Sequence, residues 1–414
     1  MKKLILILSI GLLILAGCTE KNSTNPNETD PITITSPANN SSVQGIVSIR
    51  TAIGADYDIN RVTFYIDGDS VYIDFSSPFT YEWDVGIYES GSQHTIRARA
   101  YDDSTSYLSS VITVTITAPG DNQFVFASNF DLGVPVLRLR AAGNNVYAAL
   151  GTNGMQVINY DSPSSPNAIF LYSGTGNIVG IDAHSPYLVT AELDNGIRLF
   201  NISNPDTVLV KNQLVTSGRA WNVKISGNIV YVADNDGAQI ASISGDNLNS
   251  ITRISISSGL VEDIDEYNSV LYILDINGVT AYDVSQPNNP TYIGRFDGFT
   301  GQCQSVSAYG NYVFVGTTSE IQMLSHDVDS SLAIFSSQLG FTGVYAISSV
   351  VFACQGGSGG QAYAFDYSGG DSLAVLDSYT IDELSHDITY QNNYVYVATQ
   401  TKLVAFRFEF VPTF

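Results

Sequence analysis

Asn222-Val223-Lys224-Ile225-Ser226-Gly227-Asn228-Ile229-Val230-Tyr231-Val232-Ala233-Asp234-Asn235-Asp236-Gly237 holds the unit from which most of this chain is built. Asn222 to Ile225 alternates polar and apolar residues, the period of a half-buried strand, and Gly227-Asn228 turns the chain into the apolar run Ile229 to Ala233. Asn235-Asp236-Gly237 signals a second tight turn and a third strand, and a fourth strand follows after a loop. One such unit makes a four-stranded antiparallel sheet. Its apolar second strand recurs at Tyr147, Val189, Tyr231, Tyr272, Phe314, Phe352 and Tyr396, with spacings of 42, 42, 41, 42, 38 and 44 residues. An all-strand period of about 40–45 residues predicts a β-propeller, here with seven four-stranded antiparallel blades.

The second turn repeats as Asn153-Gly154, Asn195-Gly196, Asp236-Gly237 and Asn277-Gly278. The third strand and its exit repeat as Val157-Ile158-Asn159-Tyr160-Asp161-Ser162-Pro163, Ile197-Arg198-Leu199-Phe200-Asn201-Ile202-Ser203-Asn204-Pro205 and Val279-Thr280-Ala281-Tyr282-Asp283-Val284-Ser285-Gln286-Pro287. This grammar resembles the LVIVD-repeat propeller family over nearly the whole of residues 119–414, although repeats five to seven lose the prolines after the third strand. Six third strands are followed by a fourth; the last, Leu403 to Phe408, is not. The segment Asn122 to Ala127, ahead of the first repeat, matches those fourth strands, so residues 122–127 are expected to complete the last blade and protect its edge.

Upstream, residues 31–118 read as seven or so short strands divided by turns, the pattern of a β-sandwich. Ile32-Thr33-Ile34-Thr35-Ser36-Pro37, Val62-Thr63-Phe64-Tyr65-Ile66-Asp67-Gly68-Asp69, Pro78-Phe79-Thr80-Tyr81-Glu82-Trp83-Asp84 and His94-Thr95-Ile96-Arg97-Ala98-Arg99-Ala100-Tyr101-Asp102 carry a resemblance to bacterial Ig-like domains. That resemblance implies a spacer or adhesion module, with Trp83 and His94 as packing residues. The whole chain is therefore expected to be all-β: an Ig-like β-sandwich followed by the propeller.

The N-terminus has the form of an export signal: Lys2 and Lys3, then the apolar run Leu4 to Leu15. That run is too short for a span of about 20 residues. Leu15-Ala16-Gly17-Cys18 resembles the lipobox of bacterial lipoproteins, which implies removal of residues 1–17 and attachment of lipid, palmitate included, to Cys18. Thr19 stands where an aspartate would favour inner-membrane retention, so the resemblance implies the outer membrane or cell surface. Residues 18–30 are polar and read as a tether. Cys303 and Cys354 fall at different repeat positions and are expected as two buried thiols.

With 40 acidic residues against 17 Lys and Arg, a formal charge of −23, the chain is repelled by nucleic acid, which is excluded as a partner. The expected partners are the membrane, through the anchor at Cys18, and a protein or polysaccharide ligand.

Propellers bind ligands at the channel mouth, where loops enter the innermost strands. Eight to ten residues before each anchor lie Leu137-Arg138, Val179-Gly180, Trp221-Asn222, Glu262-Asp263, Gln304-Ser305, Thr342-Gly343 and His386-Asp387. The candidate ligand ring is Arg138, Trp221, Asn222, Glu262, Asp263, Gln304, His386 and Asp387; the bland alternative is that its Asp and Asn side chains bond neighbouring backbone. Asp234-Asn235-Asp236-Gly237 begins like a calcium loop but lacks the later ligands and occupies the ordinary second turn, so no cofactor is expected and structural calcium is a weak alternative. His184, His326 and His386 sit at unequal repeat positions and form no metal set. Gln355 to Gln361 lacks the lysine of a phosphate loop. No nucleophile with a base stands out. The preferred reading is a lipid-anchored, non-enzymatic binding protein. The alternatives are a propeller hydrolase or lyase acting on extracellular polysaccharide through Glu262 and Asp263, and an outer-membrane assembly or scaffold factor.

Overall fold

The computed structural model describes residues 30–43, 46–85, 88, 91–117, 122–174, 176–257 and 260–408. The expected signal segment, Cys18 and all but the last residue of the tether lie outside the described residues. The chain divides into two compact units, Met1–Ala118 and Pro119–Phe414. Strands build both, and among the described residues the single helical element is the short 3-10 turn Pro205–Thr207.

In the first unit one sheet orders Ile32–Ser36, Ile46–Ile53 and Thr80–Asp84. The other orders Ser41–Val43, Ile112–Ile116, Gln93–Tyr101, Arg61–Ile66 and Asp69–Asp74, with Ser106–Leu108 also paired to Gln93–Tyr101. Alternation decides which side chains go in: Ile96, Ala98 and Ala100 of one strand are fully buried. They meet Ile49 and Trp83 of the other sheet in one core. His94 packs its ring 4.0 Å from that of Tyr88, donates or accepts at Ser92 Oγ (2.9 Å), and pairs with Asp67 Oδ2 at 2.6 Å. Trp83 and His94 thus tie a turn to a strand, a packing role.

Among the described residues the second unit contains seven four-stranded antiparallel sheets. Six take their strands in chain order, as in Asn222–Ser226, Ile229–Ala233, Gly237–Ser244 and Asn247–Ser255. The seventh takes Ser385–Gln391, Tyr394–Thr399 and Lys402–Arg407, and its outer strand is Val125–Asp131, antiparallel to Lys402–Arg407. The strand at the front therefore starts three residues later than the 122–127 read from sequence. Phe124, ahead of it, serves as a plug instead, its ring packing on Phe352, Phe406 and Phe408 and its amide donating to Asp377 Oδ2 at 2.7 Å.

Second strands are mostly apolar because neighbouring sheets cover both faces: Val350–Cys354 is buried at every residue. Fourth strands such as Leu209–Leu214 face outward and are largely exposed. The third-to-fourth pairing shifts register in every sheet, for example between Ile240 and Ala241 and between Phe126 and Ser128. Such bulges twist an edge away from flat pairing with another chain. Each first strand packs on the first strand of the next sheet, and Ser385–Gln391 packs on Arg138–Ala142, so the seven first strands close an inner ring.

Candidate functional site

Nine residues before the anchors, the inner ring carries Arg138, Gly180, Asn222, Asp263, Ser305, Gly343 and Asp387. Two residues further on come Arg140, Asp182, Lys224, Asp265, Ser307, Tyr345 and Thr389. The residues between them, such as Leu139, Ile181 and Ile388, are buried in the cores between sheets. Strand alternation therefore puts both polar rungs on one face, toward the first strand of the next sheet.

These rungs latch the ring together. Asp182 Oδ2 accepts the amide of Ile225 (2.7 Å), Asp263 Oδ2 that of Val306 (2.8 Å), Asp265 Oδ2 that of Ala308 (2.8 Å) and Asp387 Oδ2 that of Leu139 (3.0 Å). Ser305 and Ser307 do the same for Val344 and Ala346. In each case the amide belongs to the following sheet. Where glycine replaces the acceptor, the sheets come together directly: a Cβ on Gly180 would sit 2.5 Å from the Trp221 carbonyl oxygen, and one on Gly343 2.8 Å from Asp387 Cα.

Cations flank three of these four carboxylates, and the second oxygen of Asp263 accepts from the Asn222 side chain instead. Arg140 lies 3.4 Å from Asp182 and 3.2 Å from Asp387, and Lys224 Nζ 2.6 Å from Asp265. Burial alone would favour the neutral forms of Arg140 and Lys224, but these carboxylates outweigh it and hold both pKa values above their usual range. Arg140, Asp182, Lys224 and Asp265 were missed in the ring read from sequence, although the period-2 alternation two residues beyond each ring position was the signal for them.

One residue earlier the ring changes character. In the fourth, fifth and seventh sheets the pairing of first and second strands shifts register across Glu262, Gln304 and His386, so each of these is an extra, bulged residue at the strand entrance. A bulge re-aims the side chain it carries. Burial raises the Glu262 pKa, with Arg138 opposing. Burial lowers the His386 pKa, and Arg138 pushes the same way. Arg138 therefore stands between sheets four and seven electrostatically, while its one ion pair, to Asp387 Oδ1, is long at 3.8 Å.

Trp221, at the same level, has the Arg219 guanidinium over its ring at 5.2 Å, and Arg219 is itself held by Asp194 at 3.2 Å. Three buried polar atoms of this rim find no partner among the described residues: Trp221 Nε1, Asn222 Oδ1 and His386 Nε2. The amide nitrogen of Asn222 donates to Asp263 Oδ1 at 2.5 Å, and Gln304 donates to the Cys303 carbonyl at 3.3 Å. The eight residues expected at the mouth thus fall into two sets. Asp263 and Asp387 belong to the latches; Trp221, Glu262 and His386 sit one residue earlier with hydrogen-bonding capacity in hand, Gln304 beside them, while Arg138 shares the rung of Asp263 and Asp387 and Asn222 belongs to both sets.

Among the described residues, seven further buried side-chain polar atoms without a partner, Tyr160 Oη and Gln322 Oε1 among them, lie outside this rim. Asp234 and Asp236 of the calcium-like turn both face the Arg253 guanidinium, Asp234 at 2.8 Å. No group of three metal-ligating side chains occurs among the described residues. Cys303 and Cys354 are free, buried thiols whose pKa values burial pushes up to about 12. A cavity of about 170 Å³ beside Val125–Asp131, lined by residues including Phe126, Tyr379 and Lys402, involves none of the rim.

Among solved structures, the chain is similar to the WD40 beta propeller domain of Doa1, with a TM-score of 0.57 and 10% identity over 68% of this chain and 96% of that one. It is also similar to the computationally designed Ika8 protein, with a TM-score of 0.53 and 10% identity over 69% of this chain and all of the other. The second unit has the β-propeller fold. Its four-stranded sheets are blades, and the latched inner ring lines the propeller's axis. Residues 217–244 and 300–320, in the third and fifth blades, match the LVIVD repeat, and residues 31–104 match the bacterial Ig domain family. No curated protein matches the chain.

Proposed function

We propose that this is a lipid-anchored protein of the cell envelope or surface, in which an Ig-like β-sandwich (31–118) and a seven-bladed propeller (119–414) follow a short tether from Cys18. On this reading the propeller binds a protein or glycan partner at its mouth and does not transform it. The observation that carries it is the set of buried, unpartnered polar atoms on Trp221, Asn222 and His386 at the rim, above an inner ring whose carboxylates are all engaged. Buried polar atoms are nearly always paired, so the three at the channel rim leave hydrogen-bonding capacity that a ligand can take up. Leu15-Ala16-Gly17-Cys18 supports the anchor and an outer-membrane or surface address.

The enzymatic alternative needs Asp263 free to act as acid, base or nucleophile. Asp263 instead accepts from Asn222, from the Val306 amide and from its neighbour Ile264, both oxygens being engaged. This supports the non-enzymatic reading. Capture from an envelope extract tests it: the wild-type chain should retain a protein or polysaccharide that Trp221→Ala and His386→Ala release. Cleavage of a glycan panel, abolished in Asp263→Ala, would overturn it in favour of a hydrolase or lyase. Loss of membrane association in Cys18→Ala tests the anchor separately.

A further inference from the structure

We infer that the propeller mouth receives an acidic sugar, with the sugar carboxylate on Arg138 and its hydroxyl groups on Glu262, Asn222 and His386. The inference rests on the reading of the rim as a binding face and narrows it to one ligand class.

The inner ring carries three basic side chains, Arg138, Arg140 and Lys224. Arg140 and Lys224 are already committed, each within 3.4 Å of a ring carboxylate. Arg138 is not: its side chain is 15% exposed, and its one ion pair among the described residues is 3.8 Å long, beyond hydrogen-bond reach. A half-buried guanidinium with unused donors presents a planar fork that fits a carboxylate in a bidentate, charge-assisted pair. The overall charge of −23 does not prevent this, because repulsion from distant surface carboxylates is screened beyond about 8–10 Å at physiological salt while contact pairs are not.

The other groups specify what surrounds that carboxylate. Glu262, Asn222 Oδ1 and His386, whose imidazole burial keeps neutral at neutral pH, are acceptors or can accept. Several acceptors around one cation call for a ligand that carries one carboxylate and several donors. A uronic acid supplies that set from its ring hydroxyls, whereas the end of a peptide chain offers a single amide N–H next to its carboxylate. Trp221 supports the assignment in a particular way. Arg219 covers one face of the indole, so what remains for a ligand is the edge and its unpartnered Nε1–H, a directional donor rather than a stacking platform.

The test is calorimetric titration of the full chain, purified in detergent, with oligogalacturonate, oligomannuronate and a glucuronate-containing tetrasaccharide, each against its methyl ester. Binding of at least one acid form is expected, weakened about tenfold or more by esterification. Arg138→Met should weaken the acid form by a similar factor and leave the ester unchanged, since the two changes remove the same contact. Near-UV circular dichroism checks that the variant is folded. Should it not fold, Trp221→Phe, which keeps the ring and removes the N–H, should weaken the acid form about threefold or more. Equal binding of acid and ester, or equal weakening of both by Arg138→Met, overturns the acidic-sugar assignment while keeping a glycan-binding mouth. If no saccharide binds but an envelope protein is captured in a Trp221- and His386-dependent way, the assignment falls and the binding face stands. If neither occurs, both fall.

Discussion

Blades two to four and blades five to seven solve the same problem at the turn between second and third strands with different chemistry. Three residues past the anchor, blades two, three and four carry Glu192, Asp234 and Asp275, each buried and paired with an arginine: Arg198 at 2.7 Å, Arg253 at 2.8 Å and Arg295 at 2.7 Å. The same position in blades five, six and seven holds Thr317, Gln355 and Thr399. Thr317 donates to the Thr300 carbonyl at 2.7 Å and accepts the amides of Ser319 and Glu320, and Thr399 bonds Glu383 and the Lys402 carbonyl. The neutral anchors close the turn through two to three local hydrogen bonds. The ionic ones reach across the blade to a third or fourth strand, because a buried carboxylate is tolerable only with a cation held beside it. The two sets of blades thus differ in the means of anchoring while sharing the four-stranded geometry.

Cutting the closure of blade seven, the far end of the neutral half, should have the largest effect. Val125–Asp131 is the outer strand of blade seven and lies directly before blade one. Deleting residues 122–131 removes an edge strand and the Phe124 plug together, and more than about 4 kcal/mol of stability should go with them. A thermal melt with an unchanged midpoint would show that closure does not depend on this strand.

Next come the ionic anchors. Arg295→Met leaves Asp275 buried without its cation and should cost about 3–5 kcal/mol, read by urea unfolding. Thr317→Val, the matching change in the neutral half, removes hydrogen bonds but no charge and should cost about 1–2 kcal/mol. Equal losses at the two sites would break the contrast between the halves.

The smallest effect lies at the rim of blade four, where Asp263 is latched and Glu262 is not. Burial raises the Glu262 pKa, so the native state holds this proton more tightly than the unfolded chain does. The protonated form therefore adds stability that is complete below the unfolded value of 4.5 and is lost as pH rises through the folded one. Glu262→Gln should stabilise the protein slightly at pH 7, by no more than about 1 kcal/mol, and have no effect below pH 4. His386 runs the other way. Its folded pKa is lowered, so the stability it contributes is present above its unfolded value of 6.5 and declines as pH falls from there through the folded value. Melting of wild type and His386→Gln between pH 7.5 and 5 should show the variant less sensitive to acid.

Much of this fold was legible because a blade leaves a periodic mark: the anchors from Tyr147 to Tyr396 and the Asn-Gly and Asp-Gly turns each fall in a strand or turn of the expected kind. The start of Val125–Asp131 was not, because Phe124 looks like a strand residue yet is held by three aromatic rings from distant parts of the chain. The bulges at Glu262, Gln304 and His386 were invisible for a different reason. A bulge is a property of how two strands are paired, and no residue type announces it. The latches were half legible. Spacing brought Asp263 and Asp387 to one rung, but the groups they bond are backbone amides of Val306 and Leu139, which carry no side-chain signature and lie in the next blade around the ring.

The position of Val125–Asp131 also orders events in time. This strand is made before any of the seven repeats, yet its pairing partner Lys402–Arg407 follows every other strand of the propeller. Until then blade seven does not exist and the inner ring has two open ends. A chain emerging from its N-terminus can stack blades one to six as they come, but it must carry its first strand unpaired throughout. Products truncated before Lys402 would keep that edge exposed, so only chains that include Lys402–Arg407 reach a ring without ends.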